Sequence, residues 1–179
     1  RGNAGVIGIE WAASNWGSIK DVTIRSGDGG GHAGLSMRRN IPGPGYVKRV
    51  SIEGFDHGID VGEMQYGFTL EHVQVRNQRK AGVRLDRNLL HVRRLTSDNA
   101  VPAVVTTHPE SVLTLVDSEF RGTADGVNAL EVGGNLLLAD LKLKPAAAIK
   151  VRGKTEPVKA HHAGVAAKLS LPVEDAPDF

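Results

Sequence analysis

The sequence predicts an all-β fold, a right-handed single-stranded parallel β-helix of about six to seven coils, and three observations carry that prediction. The first is a strand template, apolar-x-x-apolar-x-apolar, at Ile19/Val22/Ile24, Val47/Val50/Ile52 and Leu70/Val73/Val75, with weaker copies at Val92/Leu95, Leu115/Ser118/Phe120 and Leu138/Leu141/Leu143. Its middle positions 22, 50, 73, 95, 118 and 141 are separated by 28, 23, 22, 23 and 23 residues, the signature of a stacked repeat. The second is a template of small-apolar-x-apolar that interleaves with the first. The third is composition: 4% aromatic residues and 22 glycines leave Val, Leu and Ile to fill the core and favour strands and turns.

In chain order the second template reads Gly8-Ile9-Glu10-Trp11, Gly34-Leu35-Ser36-Met37, Gly58-Ile59-Asp60-Val61, Gly82-Val83-Arg84-Leu85, Ala103-Val104-Val105-Thr106, Ala129-Leu130-Glu131-Val132 and Ala148-Ile149-Lys150-Val151. Both templates alternate with period two, and Gly, Asn, Asp and Pro punctuate the joints. A leucine-rich repeat shares the period but follows each strand with a helix or a long asparagine-stabilised turn, where this chain has Gly and β-branched residues. Coils that hydrogen-bond to one another at about 4.8 Å are the remaining way to stack the strands, and the usual hand of parallel crossovers makes them right-handed. The inward position of each repeat predicts one interior column, Ile9, Leu35, Ile59, Val83, Val104, Leu130 and Ile149. The β-helix is expected over 1–153, truncated at its N-terminal side. The proline-spaced 154–179 is expected to be an extended linker towards a second domain.

Net charge of +2, 40% hydrophobic and 23% charged residues exclude a disordered chain. The absence of Cys excludes disulfides, thiolate metal sites and cysteine nucleophiles. No apolar run approaches the roughly 18 residues of a membrane helix, so no membrane partner is expected. Arg1-Gly2-Asn3-Ala4-Gly5 is no signal peptide and opens in mid-pattern, as a piece of a longer protein does.

Gly8-Ile9-Glu10-Trp11, Ser18-Ile19-Lys20-Asp21-Val22 and Gly58-Ile59-Asp60-Val61-Gly62-Glu63-Met64-Gln65-Tyr66 resemble the first β-helix of the pectate-lyase-like superfamily, closest to glycoside hydrolase family 55. Those enzymes carry a similar Gly-x-x-Trp rung, followed two coils later by a Gly-Gly-x-Gln-Phe-like rung. The resemblance spans roughly residues 5 to 150. It implies cleavage of β-1,3-glucan by inversion in a cleft between two β-helices, with the general acid on the second. It also implies export, so an extracellular or periplasmic location. Asn15 takes the place of the family's water-holding Gln, and Ile41-Pro42-Gly43 stands where the family has a Ser.

Candidate chemistry follows from the outward third position of the second template, which predicts a column of Glu10, Ser36, Asp60 and Arg84 on a solvated sheet. Glu10 and Asp60, two coils apart at about 9 to 10 Å, are the catalytic candidates, near the upper end of the spacing that admits a water between inverting carboxylates. Glu63 and Gln65 are placed to line a sugar groove together with Asn15, Arg84 and Asp86. Arg76, Arg79, Lys80, Arg84, Arg87, Arg93 and Arg94 lie against one carboxylate, Asp86, and predict a basic patch suited to a uronate or sulfated chain. The partners expected are therefore a polysaccharide and a second β-helix of the same parent, and not nucleic acid, for which stacking aromatics and motifs are lacking. No cofactor is expected. The seven His lack ligand spacing, while a calcium site needs only scattered carboxylates and stays open. A glycoside hydrolase is the first functional expectation; a uronate lyase and a non-catalytic β-helix, such as a tail fibre or adhesin, are the alternatives.

Overall fold

A computed structural model describes residues 2–13, 15–39, 43–62, 66–143 and 147–157. Seven short strands run through the second template: β1 (Ile7–Glu10), β3 (Ala33–Met37), β5 (His57–Val61), β7 (Ala81–Leu85), β9 (Val104–Thr106), β11 (Asn128–Val132) and β13 (Ala148–Val151). Six long ones follow the first: β2 (Gly17–Arg25), β4 (Gly45–Glu53), β6 (Phe68–Arg76), β8 (Leu89–Asp98), β10 (Val112–Arg121) and β12 (Asn135–Lys142). Short strands pair in parallel with the next short strand and long with the next long, giving two sheets of consecutive coils. The fold is the parallel β-helix that the repeats predict.

The interior column is in register from end to end: Ile9↔Leu35, Leu35↔Ile59, Ile59↔Val83, Val83↔Val104, Val104↔Leu130 and Leu130↔Ile149 are pairing partners. From Leu35 to Ile149 these side chains are fully buried, whereas Ile9, on the terminal coil, is only partly covered. The small residue that opens the second template has a steric cause. A Cβ on Gly34 would lie 2.3 Å from Ile52 Cγ2, and one on Gly58 would lie 2.8 Å from Val75 Cγ1, both on long strands, so in these coils the two sheets approach only because no side chain stands there.

The x-x of the first template also acquires a cause. Asp21, Arg49, His72, Arg94, Asp117 and Asp140, one in each long strand, have φ between 49° and 57°, in the left-handed region. A left-handed residue shifts the in-out alternation by one. Phe68 and Leu70 point inward before His72, and Val73 and Val75 point inward after it. Each long strand thus turns a corner at that residue. The corner side chains couple neighbouring coils: Arg49 Nη2 donates to Asp21 Oδ2 (2.8 Å), and Arg94 Nε donates to Asp117 Oδ2 (2.9 Å) while its Nη1 lies 3.2 Å from His72 Nε2.

Two further features concern the joints and the C-terminal side. Asn99, buried between coils, accepts from the Gln78 N–H (2.7 Å) and donates to the Val75 carbonyl (3.3 Å), binding one turn to the next. At the other end, β14 (Lys154–Pro157), the first part of the stretch expected to be a linker, folds back and pairs antiparallel with β13. The remainder of that stretch, 158–179, lies outside the described residues.

Candidate functional site

The outward column of the short-strand sheet is Glu10↔Ser36, Ser36↔Asp60, Asp60↔Arg84, in the predicted register. Its environment differs from the expected open face. Asp60 is completely buried: His32 Nε2 donates to Oδ2 (3.0 Å), Arg38 Nη1 donates to Oδ1 (3.2 Å), and Arg84 Nη1 reaches Oδ2 at 3.5 Å. Three long or aromatic side chains, two from the preceding coil and one from the following coil, fold over the carboxylate. They exchange its hydration for charge-assisted bonds. The sequence could not show this, because a period-two pattern assigns a side chain to a face without saying what neighbours cover it.

The network continues along the coils. Arg38 Nη2 donates to Asp86 Oδ2 (3.0 Å), and Thr107 Oγ1 donates to Asp86 Oδ1 (3.0 Å). Burial pushes the Asp86 carboxyl up, but the bonds from Arg38 and Thr107 outweigh it and hold the group below the usual carboxylate range. Burial likewise opposes the charge on Arg38, and Asp86 and Asp60 more than restore it. His57, ring edge to the His32 ring at 5.5 Å, is desolvated and held neutral below the ordinary imidazole value, with its Nδ1 buried and unpaired.

Of the two predicted catalytic carboxylates, Glu10 alone faces water: it is half-exposed, with Arg39 Nε 3.8 Å away. Asp60 has no open side from which to activate a water. Arg84 and Asp86 belong to the network just described. Asn15 is exposed, with φ 72°, in the turn between β1 and β2. Glu63 and Gln65 lie outside the described residues. His32 and Arg38 are the members that sequence reasoning missed. Neither falls in a strand template, and only the stacking brings them over Asp60.

The predicted basic patch is dispersed. Arg76 pairs with Glu53 (2.8 Å), Arg79 and Lys80 with Asp56 (2.7 Å each), Arg84 with Asp60 (3.5 Å), Arg87 with Glu110 (3.0 Å), Arg93 with Glu71 (2.8 Å) and Arg94 with Asp117 (2.9 Å). Each acid sits about one coil away in sequence. A count along the chain sees seven cations and one anion, whereas the stack interleaves the coils and neutralises them. Glu71, Lys48 and Arg93 form the most buried of these groups, with Tyr46 donating its hydroxyl to Glu71 Oε2.

The glycine-rich Gly27–Gly31 stretch is a closed turn, with Asp28 accepting from the Gly2 and Gly30 N–H groups and from Ser26 Oγ, which draws its pKa down to about 2. Among the described residues no group of three or more His, Asp or Glu is arranged to hold a metal ion, and no helix is long and apolar enough to cross a membrane. No family model, curated protein or solved structure matches the chain.

Proposed function

We propose that this β-helix is the polysaccharide-binding part of an exported carbohydrate-active protein that acts on a neutral glycan, a glycoside hydrolase ahead of a uronate lyase. The observation that carries the choice is the coil-to-coil neutralisation of the Arg76–Arg94 cations. A lyase needs cationic groups free to neutralise a uronate, beside a base that takes its α-proton. Here an anionic chain would have to displace a carboxylate from each of them. An uncharged chain meets a hydrogen-bonding face whose register repeats at every coil, about 4.8 Å apart. Glu10 is an accessible carboxylate that this face offers to a reaction, and the resemblance to enzymes with two β-helices points to a second β-helix of the parent for the remaining catalytic group. Asp60, enclosed by His32, Arg38 and Arg84, positions those side chains and has no open side towards a substrate.

The test is to offer neutral glucans and polygalacturonate to the parent protein and to this chain alone. The parent should release reducing ends from a neutral glucan, without unsaturated product. The isolated chain should bind that glucan without cleaving it, and equally well in low and high salt. Unsaturated product from polygalacturonate would assign a lyase. Turnover by the isolated chain that disappears in a folded Glu10→Gln variant would place the whole site on this β-helix and end the two-β-helix reading.

A further inference from the structure

Among the described residues, three of the five large apolar side chains that stand exposed lie along one edge of the solenoid: Trp16, Tyr66 and Leu89. Trp16 and Tyr66 belong to the turns that lead from a short strand into the next long one, and Leu89 opens β8. The register Gly17↔Gly45, Gly45↔Phe68 and Phe68↔Leu90 places the preceding residues, Trp16, Pro44, Gly67 and Leu89, in one column on four successive coils. Tyr66 stands immediately before Gly67. Trp16 is 86% exposed, and Gly67 keeps the strip level, since a Cβ there would come 3.2 Å from Leu89 Cβ. Arg38 and Asp86, the bridge between coils described above, lie in the same set of turns.

We infer that this strip is a sugar-stacking subsite, with Trp16 and Tyr66 as the platforms, for a linear glycan whose pyranose rings present a flat apolar face. This inference rests on the polysaccharide reading and names the surface that performs the binding. Two features select the ligand class. Among the described residues the strip offers three exposed apolar side chains, short of the roughly 800 Å² on each side that a stable protein partner needs. Among the described residues the charged groups beside it, Arg38 and Asp86, are paired with each other, so a ligand that alternates apolar faces with hydroxyl edges can cover the strip while exchanging hydrogen bonds with the rim. Indole offers the largest flat apolar surface of any side chain, and its exposure to water is relieved when a ring stacks on it.

The chain has two tryptophans, and Trp11 is partly buried with its ring tilted against Phe68 at 6.1 Å, so a small quencher distinguishes it from Trp16. The experiment titrates the 179-residue chain with a linear β-1,3-linked glucose oligosaccharide and follows acrylamide quenching beside calorimetry. The expected result is that the oligosaccharide shields Trp16, that Trp16→Ala weakens binding by roughly tenfold or more, and that Tyr66→Ala weakens it less. Both side chains lie outside the core, so both variants should keep the parent's circular dichroism. Glucan bound with unchanged affinity by Trp16→Ala, without shielding in the parent, would overturn the subsite and leave the polysaccharide reading standing. Failure of every neutral glucan to bind would remove both. Self-association that Trp16→Ala abolishes would make the strip a protein contact and overturn the inference as well.

Discussion

Asp60 and Glu71 occupy outward columns yet are buried, one beneath His32, Arg38 and Arg84 and the other among Lys48, Arg93 and Tyr46. Removing one partner of such a group leaves a charge without its counterion in a poorly solvated place. Glu71→Ala should therefore lower unfolding free energy by about 3–5 kcal/mol, because Lys48 stays buried, and Asp60→Ala by about 2–3 kcal/mol, because Arg38 and Arg84 retain some contact with water. Urea unfolding at neutral pH measures both. His57 adds a pH dependence. Burial lowers its proton affinity in the folded state, so below about 6.5 the unfolded chain binds the extra proton and stability falls as pH falls. Asp56 and Asp86, whose pKa values are lowered on balance because the ionic bonds outweigh burial, add stability that persists above about 4 and is lost as pH falls further. Unfolding midpoints from pH 8 to pH 3 should show two declines, and His57→Asn should remove only the first.

Each long strand depends on one left-handed residue, and that dependence can be tested at Asp140, which is exposed at the last corner. Asp140→Gly, free of the Cβ clash, should leave stability within a few tenths of a kcal/mol, whereas Asp140→Val should lose about 1–2 kcal/mol by thermal or urea unfolding. The opposite requirement holds at Gly34, where any Cβ meets Ile52. Gly34→Ala should cost about 1–3 kcal/mol as the sheets are forced apart. The spacing of the first template was legible in the sequence, but its corner was not. Asp21, Asp117 and Asp140 tolerate the left-handed region, yet Arg49 and Arg94 are residues no turn rule would place there.

In a stack where each coil touches only its neighbours, a cavity in the middle removes contacts on both sides and one at the end removes them on one side. Ile59→Ala, fully buried in the central column, should destabilise by about 2–5 kcal/mol, and Ile9→Ala at the partly covered first coil by clearly less. Hydrogen exchange should follow the same gradient, slowest in β5 to β8 and fastest in β1 and β2.

Periodicity is a local property that each repeat writes into its own residues, so the sequence by itself determined the parallel β-helix, the order of its strands and the whole interior column from Ile9 to Ile149. It also determined which side chains face outward. What those side chains meet was decided by tertiary structure alone, because the partners come from neighbouring coils, about two dozen residues distant along the chain. Stacking those coils buried Asp60, divided the basic run from Arg76 to Arg94 among seven ion pairs with acids of adjacent coils, and lined up Trp16 with Leu89. A charge or an exposed ring acquires its meaning from what lies within a few ångströms, and in a solenoid that neighbour is a full turn away in sequence.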